Sequence, residues 1–214
     1  MQIAETNSHP ISSVTVIRSR MEVKQLASNY HNTYFVIRHG ESTANAMGLI
    51  VSHPEHALDD FGLTELGCKQ VTEAVQASTL NESTLIVSSD YSRALSSALI
   101  AQELIGAKPA LVDSRLRERD FGELELEHHD HYAQVWEFDL NPNSVNLYNV
   151  ETVNMVLSRV LTAIEDLEER YVNQTILIVS HGDVLQILLA FHLGLEAKHH
   201  RQITPLANAE IRPL

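Results

Sequence analysis

"YFVIRHGES", residues 34–42, is an apolar run that ends abruptly in Arg38, His39 and Gly40. A second stretch, "ILIVSHGD" (176–183), ends the same way and delivers His181 and Gly182. The first run, from "TYFVI" (33–37), mixes aromatic and β-branched residues and reads as a buried strand; "TILIVS" (175–180) reads likewise. Between them "TLIVSS" (84–89) and "PALVD" (109–113) give two more strands, and a short last one is expected in "NAEIRPL" (208–214). Helical patterns fill the gaps. "LTELGCKQVTEAVQAS" places Leu63, Leu66, Val71 and Val75 at helical spacing with Thr64 as its cap, and Cys68 is read as a small hydrophobe on that helix. "YSRALSSALIAQELIG" stops at Gly106, with Asp90 as the expected cap. "VETVNMVLSRVLTAIEDLEERY" and "DVLQILLAFHLG" flank the strand at 175–180. Residues 121–150 are irregular and polar, with one short helix around "YAQVWEF".

Strands alternating with helices predict an α/β fold: a three-layer sandwich whose mostly parallel central sheet is flanked by helices. Ligands of such sheets bind beyond the carboxyl ends of the strands. Both His–Gly pairs and the segment "SSDYSR" lie at such ends, so three distant segments converge on one edge.

Fifteen Lys and Arg against 28 Asp and Glu give a net charge of −13, which argues against nucleic acid or an anionic membrane as partner. Any anionic ligand must then be held by a local concentration of positive charge. The lone Cys68 excludes an internal disulfide and a thiolate metal cluster. The N-terminal segment has no apolar run longer than "VTVI" and so lacks a secretory signal core, and no stretch is long enough to span a bilayer. Arg18, Arg20 and Lys24 leave organelle targeting as an alternative that Glu22 weakens, so a reducing, cytoplasmic setting is expected. Residues 1–32 read as an appended arm, and 33–214 as one domain.

The convergent residues suit phosphoryl chemistry. A neutral imidazole, His39, is a good nucleophile; the neighbouring Arg38 stays charged and binds anions in a bidentate fashion. Gly40 is expected to let backbone amides approach a phosphate. Arg93 adds a second fixed charge and His181 another donor, which together nearly neutralise a phosphate monoester dianion. A leaving alkoxide must also be protonated. Glu118, in "RLRERDFG", is the candidate acid, although Arg117 or Arg119 could instead pair with it.

These residues resemble the histidine phosphatase, or phosphoglycerate mutase-like, superfamily. "RHGESTAN" is similar to its R-H-G-[EQ]-[ST]-x-x-N signature, "DDFGLTELG" to D-x-x-L-T-x-x-G, and "SSDYSRALSSA" to S-x-x-x-R-A-x-x-[ST]-A. "RLRERDFGELE" resembles the acid-bearing region and "VSHGDVL" the second-histidine segment, so the likeness covers about residues 33–213. The resemblance implies a phosphoglycerate mutase-like sandwich and transient phosphorylation of His39 on its ε nitrogen. It also implies a phosphate pocket of Arg38, Arg93 and His181, contact from Asn45, proton donation by Glu118, and no metal or other cofactor. Two departures stand out. "IVSHPEH" replaces the Ser-Gly or Thr-Gly pair that many members carry, and Leu126 replaces the glycine that often follows "FGxxE".

The superfamily contains mutases and phosphatases. A mutase needs cations for a second anion, yet residues 120–158 contain neither Lys nor Arg and are crowded with Glu123, Glu125, Glu127, Asp130, Glu137 and Asp139. An acidic lid favours a phosphatase acting on a small monophosphate whose remainder is neutral or cationic; a mutase and a non-catalytic phospholigand-binding protein are the alternatives. "EHHDH" (127–131) and "HH" (199–200) have metal-ligand residue types without a recognisable spacing, and are read as solvated surface. Asn45 has the alternative reading of a helix cap.

Overall fold

The computed structural model describes residues 30–141 and 147–214. Its elements run β1 (Thr33–Arg38), α1 (Thr43–Met47), α2 (Pro54–Ala57), α3 (Glu65–Gln76), β2 (Leu85–Ser88), α4 (Ser92–Ile105), β3 (Leu111–Val112), α5 (Tyr132–Leu140), α6 (Val153–Arg170), β4 (Thr175–Ser180), α7 (Gly182–His192) and β5 (Ile211–Pro213), with short 3₁₀ turns between. The strands form one sheet in the order β3-β2-β4-β1-β5. Every pairing is parallel except that of β5, which closes the edge antiparallel to β1.

Alternate residues of the central strands feed two cores. Tyr34, Val36, Val87, Ile176 and Ile178 face Val156, Val160 and Ile164 of α6 and Leu185 and Leu188 of α7. Ile37, Ile86, Leu177 and Val179 face Val71 and Val75 of α3 and Ala94, Ala98 and Ala101 of α4. Helices thus cover both faces, as the unbroken apolar runs of β1 and β4 require. A third, smaller core (Ile50, Phe121, Leu124, Val135 and Val150) seats α5 beside the strand ends. No helix among the described residues is long and apolar enough to cross a membrane.

Thr64 caps α3, accepting the Gly67 amide at 3.0 Å, and Gly106 closes α4 in the left-handed conformation. Asp90 does not cap α4: the cap position falls on Tyr91 without a side-chain bond, because the Asp90 carboxylate is drawn to the Arg117 guanidinium at 2.6–3.1 Å. Cys68 is exposed on α3 rather than packed. The polar stretch after β1 holds the two short helices α1 and α2, started by a Ser42–Asn45 capping box and by Pro54. Residues 1–29 of the expected arm lie outside the described residues. Tyr30, His31 and Asn32 pack on the domain: Tyr30 meets the rings of Tyr34 and His192, and the His31 amide and Asn32 side chain bond Glu168.

The chain leaving β1 is wedged against the start of α3. A Cβ on Gly40 would lie 2.4 Å from the Gly67 carbonyl oxygen, and one on Gly67 only 2.0 Å from that of Glu41. Leu126, by contrast, carries a side chain at φ 65°, where the replaced glycine would sit without strain. Gly67→Ala is therefore expected to lower stability by about 1–3 kcal/mol, read as a lower urea midpoint. Leu126→Gly should hold or raise that midpoint, since Leu126 is exposed and buries little.

Candidate active site

Register brings the two histidines together. β1 and β4 are parallel neighbours with Arg38 opposite Ser180, so the next residues of each chain, His39 and His181, emerge side by side. Their rings meet edge to face at 5.2 Å.

His39 is buried, and its Nδ1–H donates to the Gly40 carbonyl at 2.7 Å. A carbonyl only accepts, so the proton sits on Nδ1 and Nε2 carries the lone pair. That lone pair faces the cavity side and accepts from Arg93 Nε at 3.2 Å. Burial, then Arg93 and Arg38, hold the His39 pKa well below its ordinary value, which keeps the ring neutral. Arg93 is itself anchored by Nη2 on the Val51 carbonyl at 2.8 Å, and Arg38 by Nη1 on the Leu206 carbonyl at 2.9 Å. Three buried nitrogens of this cluster have no protein partner: Arg38 Nε, Arg93 Nη1 and His181 Nδ1. Unpaired buried donors are rare and costly, and guanidinium N–H groups beside a cavity are suited to an oxyanion.

Arg38, His39, Asn45, Arg93 and Glu118 line one cavity of about 250 Å³, together with Ser42, Ala44, Leu49, Val51, His129, Tyr132 and Asn208. His181 is not on its wall. It lies behind His39, with Nε2 on the Ser89 hydroxyl at 2.9 Å, and burial followed by Arg93 and His39 lowers its pKa. Asn45 is the third residue of the capping box that Ser42 heads, and it also stands on the cavity wall. Its Oδ1 accepts from the Ser42 amide and from Asn208 Nδ2 at the helix start, while the side chain borders the cavity.

Glu118 is not paired with its neighbours. Arg117 is bound to Asp90 and Arg119 to Asp139, and the Glu118 carboxylate accepts the Arg119 amide at 2.9 Å. Burial raises its pKa, the Asp183 carboxylate adds to this, and the Arg119 amide, Arg93 and Arg38 oppose it. The result is a carboxyl able to carry a proton.

Several expectations are corrected. The Gly40 amide is spent on the Ser97 hydroxyl at 3.2 Å, and the close approach that demands glycine is to Gly67, not to a ligand. The acids of residues 120–139 do not line the cavity. Glu125 binds the amides of Ser52 and His53 and the His56 ring, Glu123 binds Asn149, and Asp139 binds Arg119. Within that segment, His129 and Tyr132 face the cavity instead. The Ser52 and His53 amides, in the "IVSHPEH" stretch that departs from the Ser-Gly or Thr-Gly pair, are thus occupied by the chain's own carboxylate. His200 is buried rather than solvated, with Nδ1 on the Ala197 carbonyl and Nε2 3.8 Å from Asp183. Within 127–131, His128, His129 and Asp130 keep the surface reading, an exposed cluster with ligand-type atoms within 4.8 Å of one another, whereas His131 is half-buried with its Nδ1 shut off from solvent. Asn208, Tyr132 and Leu49 were not anticipated. Tyr132 and Asn208 come from chain-distant segments without a motif, and Leu49 lies just beyond "RHGESTAN".

Residues 34–214 match the family model of the histidine phosphatase superfamily (branch 1). The chain belongs to this superfamily. Within it, the chain is 28% identical over 166 residues to a Hydrogenobacter thermophilus protein provisionally named phosphoserine phosphatase 2, covering 75% of this chain and 78% of the relative. It is 30% identical over 174 residues to an Escherichia coli protein named "Probable phosphoglycerate mutase GpmB", covering 79% and 78%. The α-ribazole phosphatase structure from Shigella flexneri superposes with a TM-score of 0.67 at 26% identity, over 85% of this chain and 89% of that one. Relatives of this superfamily member therefore carry both hydrolase and mutase names.

If the unpaired guanidinium N–H groups hold an oxyanion, Arg93→Gln should weaken binding of inorganic phosphate by roughly 10- to 100-fold, the worth of a hydrogen bond to a charged group. Isothermal titration calorimetry of the wild type and the variant measures this.

Proposed function

We propose that the protein is a metal-independent phosphatase that hydrolyses a small phosphate monoester through a phospho-His39 intermediate, in a reducing cytoplasmic setting. The observation that carries this reading is the content of one cavity: a neutral imidazole whose Nε2 lone pair meets Arg93 Nε, two arginines, and one carboxyl with a raised pKa.

Arg38 and Arg93 offset the two negative charges of the bound phosphate, with His181 supporting the His39 ring from behind. His39 Nε2 attacks phosphorus, the P–O bond to the alcohol breaks, and Glu118 gives its proton to the departing oxygen. Glu118, now ionised, takes a proton from water as that water attacks the phosphohistidine; inorganic phosphate leaves and His39 is restored. General acid catalysis contributes about 10²–10⁴, so the larger share of the acceleration falls to the arginines and to positioning.

Hydrolysis is favoured over transfer by what the cavity lacks. Among its lining residues the only lysine or arginine side chains are Arg38 and Arg93, both committed to the first phosphate. Among the described residues of the cavity wall, a second phosphate or carboxylate finds no fixed cation. The cavity lies below the ~300–1,000 Å³ typical of ligand pockets, and Ala44, Leu49, Val51 and Tyr132 form an apolar side. A compact monophosphate with an uncharged remainder fits it, which narrows the neutral-or-cationic expectation because the nearby acids point elsewhere.

p-Nitrophenyl phosphate with EDTA present tests the reading. Wild type should release inorganic phosphate and His39→Ala should not; activity surviving in His39→Ala sinks the mechanism. Transfer of phosphate within a phosphorylated sugar acid, with no inorganic phosphate released, would establish the mutase instead.

The pH profile gives a second check. His39 must be neutral and its pKa is lowered, so kcat/KM rises with pH only through an acid limb below the ordinary imidazole value. With an alkyl ester such as glycerol 2-phosphate, whose leaving oxygen needs a proton, Glu118 must be protonated and its pKa is raised, so kcat/KM falls as pH climbs through that raised value. Glu118→Gln should abolish the alkaline fall and leave the acid limb in place.

A further inference from the structure

The segment "RLRER" (115–119) presents four successive carbonyls, and every one is gripped. Arg159, on α6, donates Nη1 to the carbonyls of Arg115 at 2.6 Å and Arg117 at 2.8 Å, and Nη2 to that of Glu118 at 3.2 Å. The remaining carbonyl, of Leu116, accepts from the Ser180 hydroxyl at 2.8 Å; Ser180 is the last residue of β4, directly before His181. The guanidinium is held in turn by Glu151, which receives Nε at 2.8 Å and Nη2 at 2.9 Å. Glu151 also returns to the same segment: its carbonyl accepts Arg119 Nε at 2.7 Å, and its amide donates to the Asp120 carbonyl at 2.8 Å. A planar fork of five donors can span three carbonyls and a carboxylate at once, which an ammonium cannot.

We propose that Arg159 is a positioning residue for the reaction: by fixing the backbone of residues 115–118 it holds the Glu118 carboxyl where the leaving oxygen departs. Arg159 touches neither the cavity nor the reacting atoms. The inference rests on Glu118 being the proton donor, and the leaving group separates the two ideas. A p-nitrophenolate leaves readily without protonation, whereas the alkoxide of glycerol 2-phosphate does not. Loss of acid positioning must therefore fall on the second substrate alone.

The experiment compares kcat/KM for both esters in wild type, Glu118→Gln, Arg159→Met, Arg159→Lys and Glu151→Gln, with thermal melting of each. A tenfold or greater loss in Arg159→Met on glycerol 2-phosphate, with p-nitrophenyl phosphate kept within about twofold, is the expected result, given that an acid contributes ~10²–10⁴. Arg159→Lys should recover only part of it. Glu151→Gln, which keeps the guanidinium on the carbonyls, should lose less than Arg159→Met. Should Arg159→Met cripple folding by leaving Glu151 unpaired, the Arg159→Met/Glu151→Gln pair removes both charges together and carries the same expectation. Equal losses on the two esters, or no loss on either, would overturn the proposal while leaving the phosphatase reading intact. If Glu118→Gln showed no leaving-group selectivity, the assignment of Glu118 would fall first and the role of Arg159 with it.

Discussion

Six residues of β1 pair in parallel with six of β4, from Thr33 opposite Thr175 to Arg38 opposite Ser180, and the site depends on that register. Both strands are buried on both faces, with alternate residues committed to different cores. A slip by one residue would turn every one of those side chains to the wrong layer. The apolar pattern therefore locks the register, and the register sets His39 against His181. The chain can then leave β1 only through Gly40, because the backbone at the start of α3 already occupies the space a side chain would need.

Burial at this edge has opposite consequences for the two kinds of titratable group. It lowers the pKa of His39 and His181 and raises that of Glu118, the two directions that the proposed nucleophile and acid need in order to work at one pH. The arginines cannot respond in that way and stay charged. Arg38 and Arg93 are steadied by single backbone carbonyls and keep N–H groups unpaired, whereas Arg115, Arg117, Arg119 and Arg159 are matched with carboxylates. The acidic excess of this protein thus sits where structural arginines need it and spares the two that face the cavity. Buried pairs such as Arg119 with Asp139 and Asp183 add little net stability over apolar packing, but breaking one is expensive, which favours a single arrangement of α5.

The lid illustrates how a charged segment can be neutral toward its cavity. Residues 120–139 are rich in carboxylates, yet Glu125 is turned inward to the 52–56 loop and Asp139 to Arg119, and the residues that meet the cavity are His129 and Tyr132. The proposed preference for a single anion therefore rests on Arg38 and Arg93 being the only lysine or arginine side chains on the cavity wall among the described residues, rather than on repulsion by the acids.

The strands, the main helices and the convergence of Arg38, His39, Arg93, Glu118 and His181 were legible in the sequence, because uninterrupted apolar runs, Gly stops and phosphate-binding residue types each have a local physical cause. Local pattern failed where the decisive partner is distant in the chain. Asp90 serves Arg117 instead of capping α4, the Gly40 amide goes to Ser97, His200 is buried, and Asn208 reaches the cavity from the last connection before β5. What the sequence determined alone is which groups are available and at which strand ends they appear. Which of them stay unpaired, which are spent on one another and how wide the cavity is were decided only by the tertiary structure. Those outcomes are competitions between many donors and acceptors for the same few partners, and spatial proximity, not chain order, settles them.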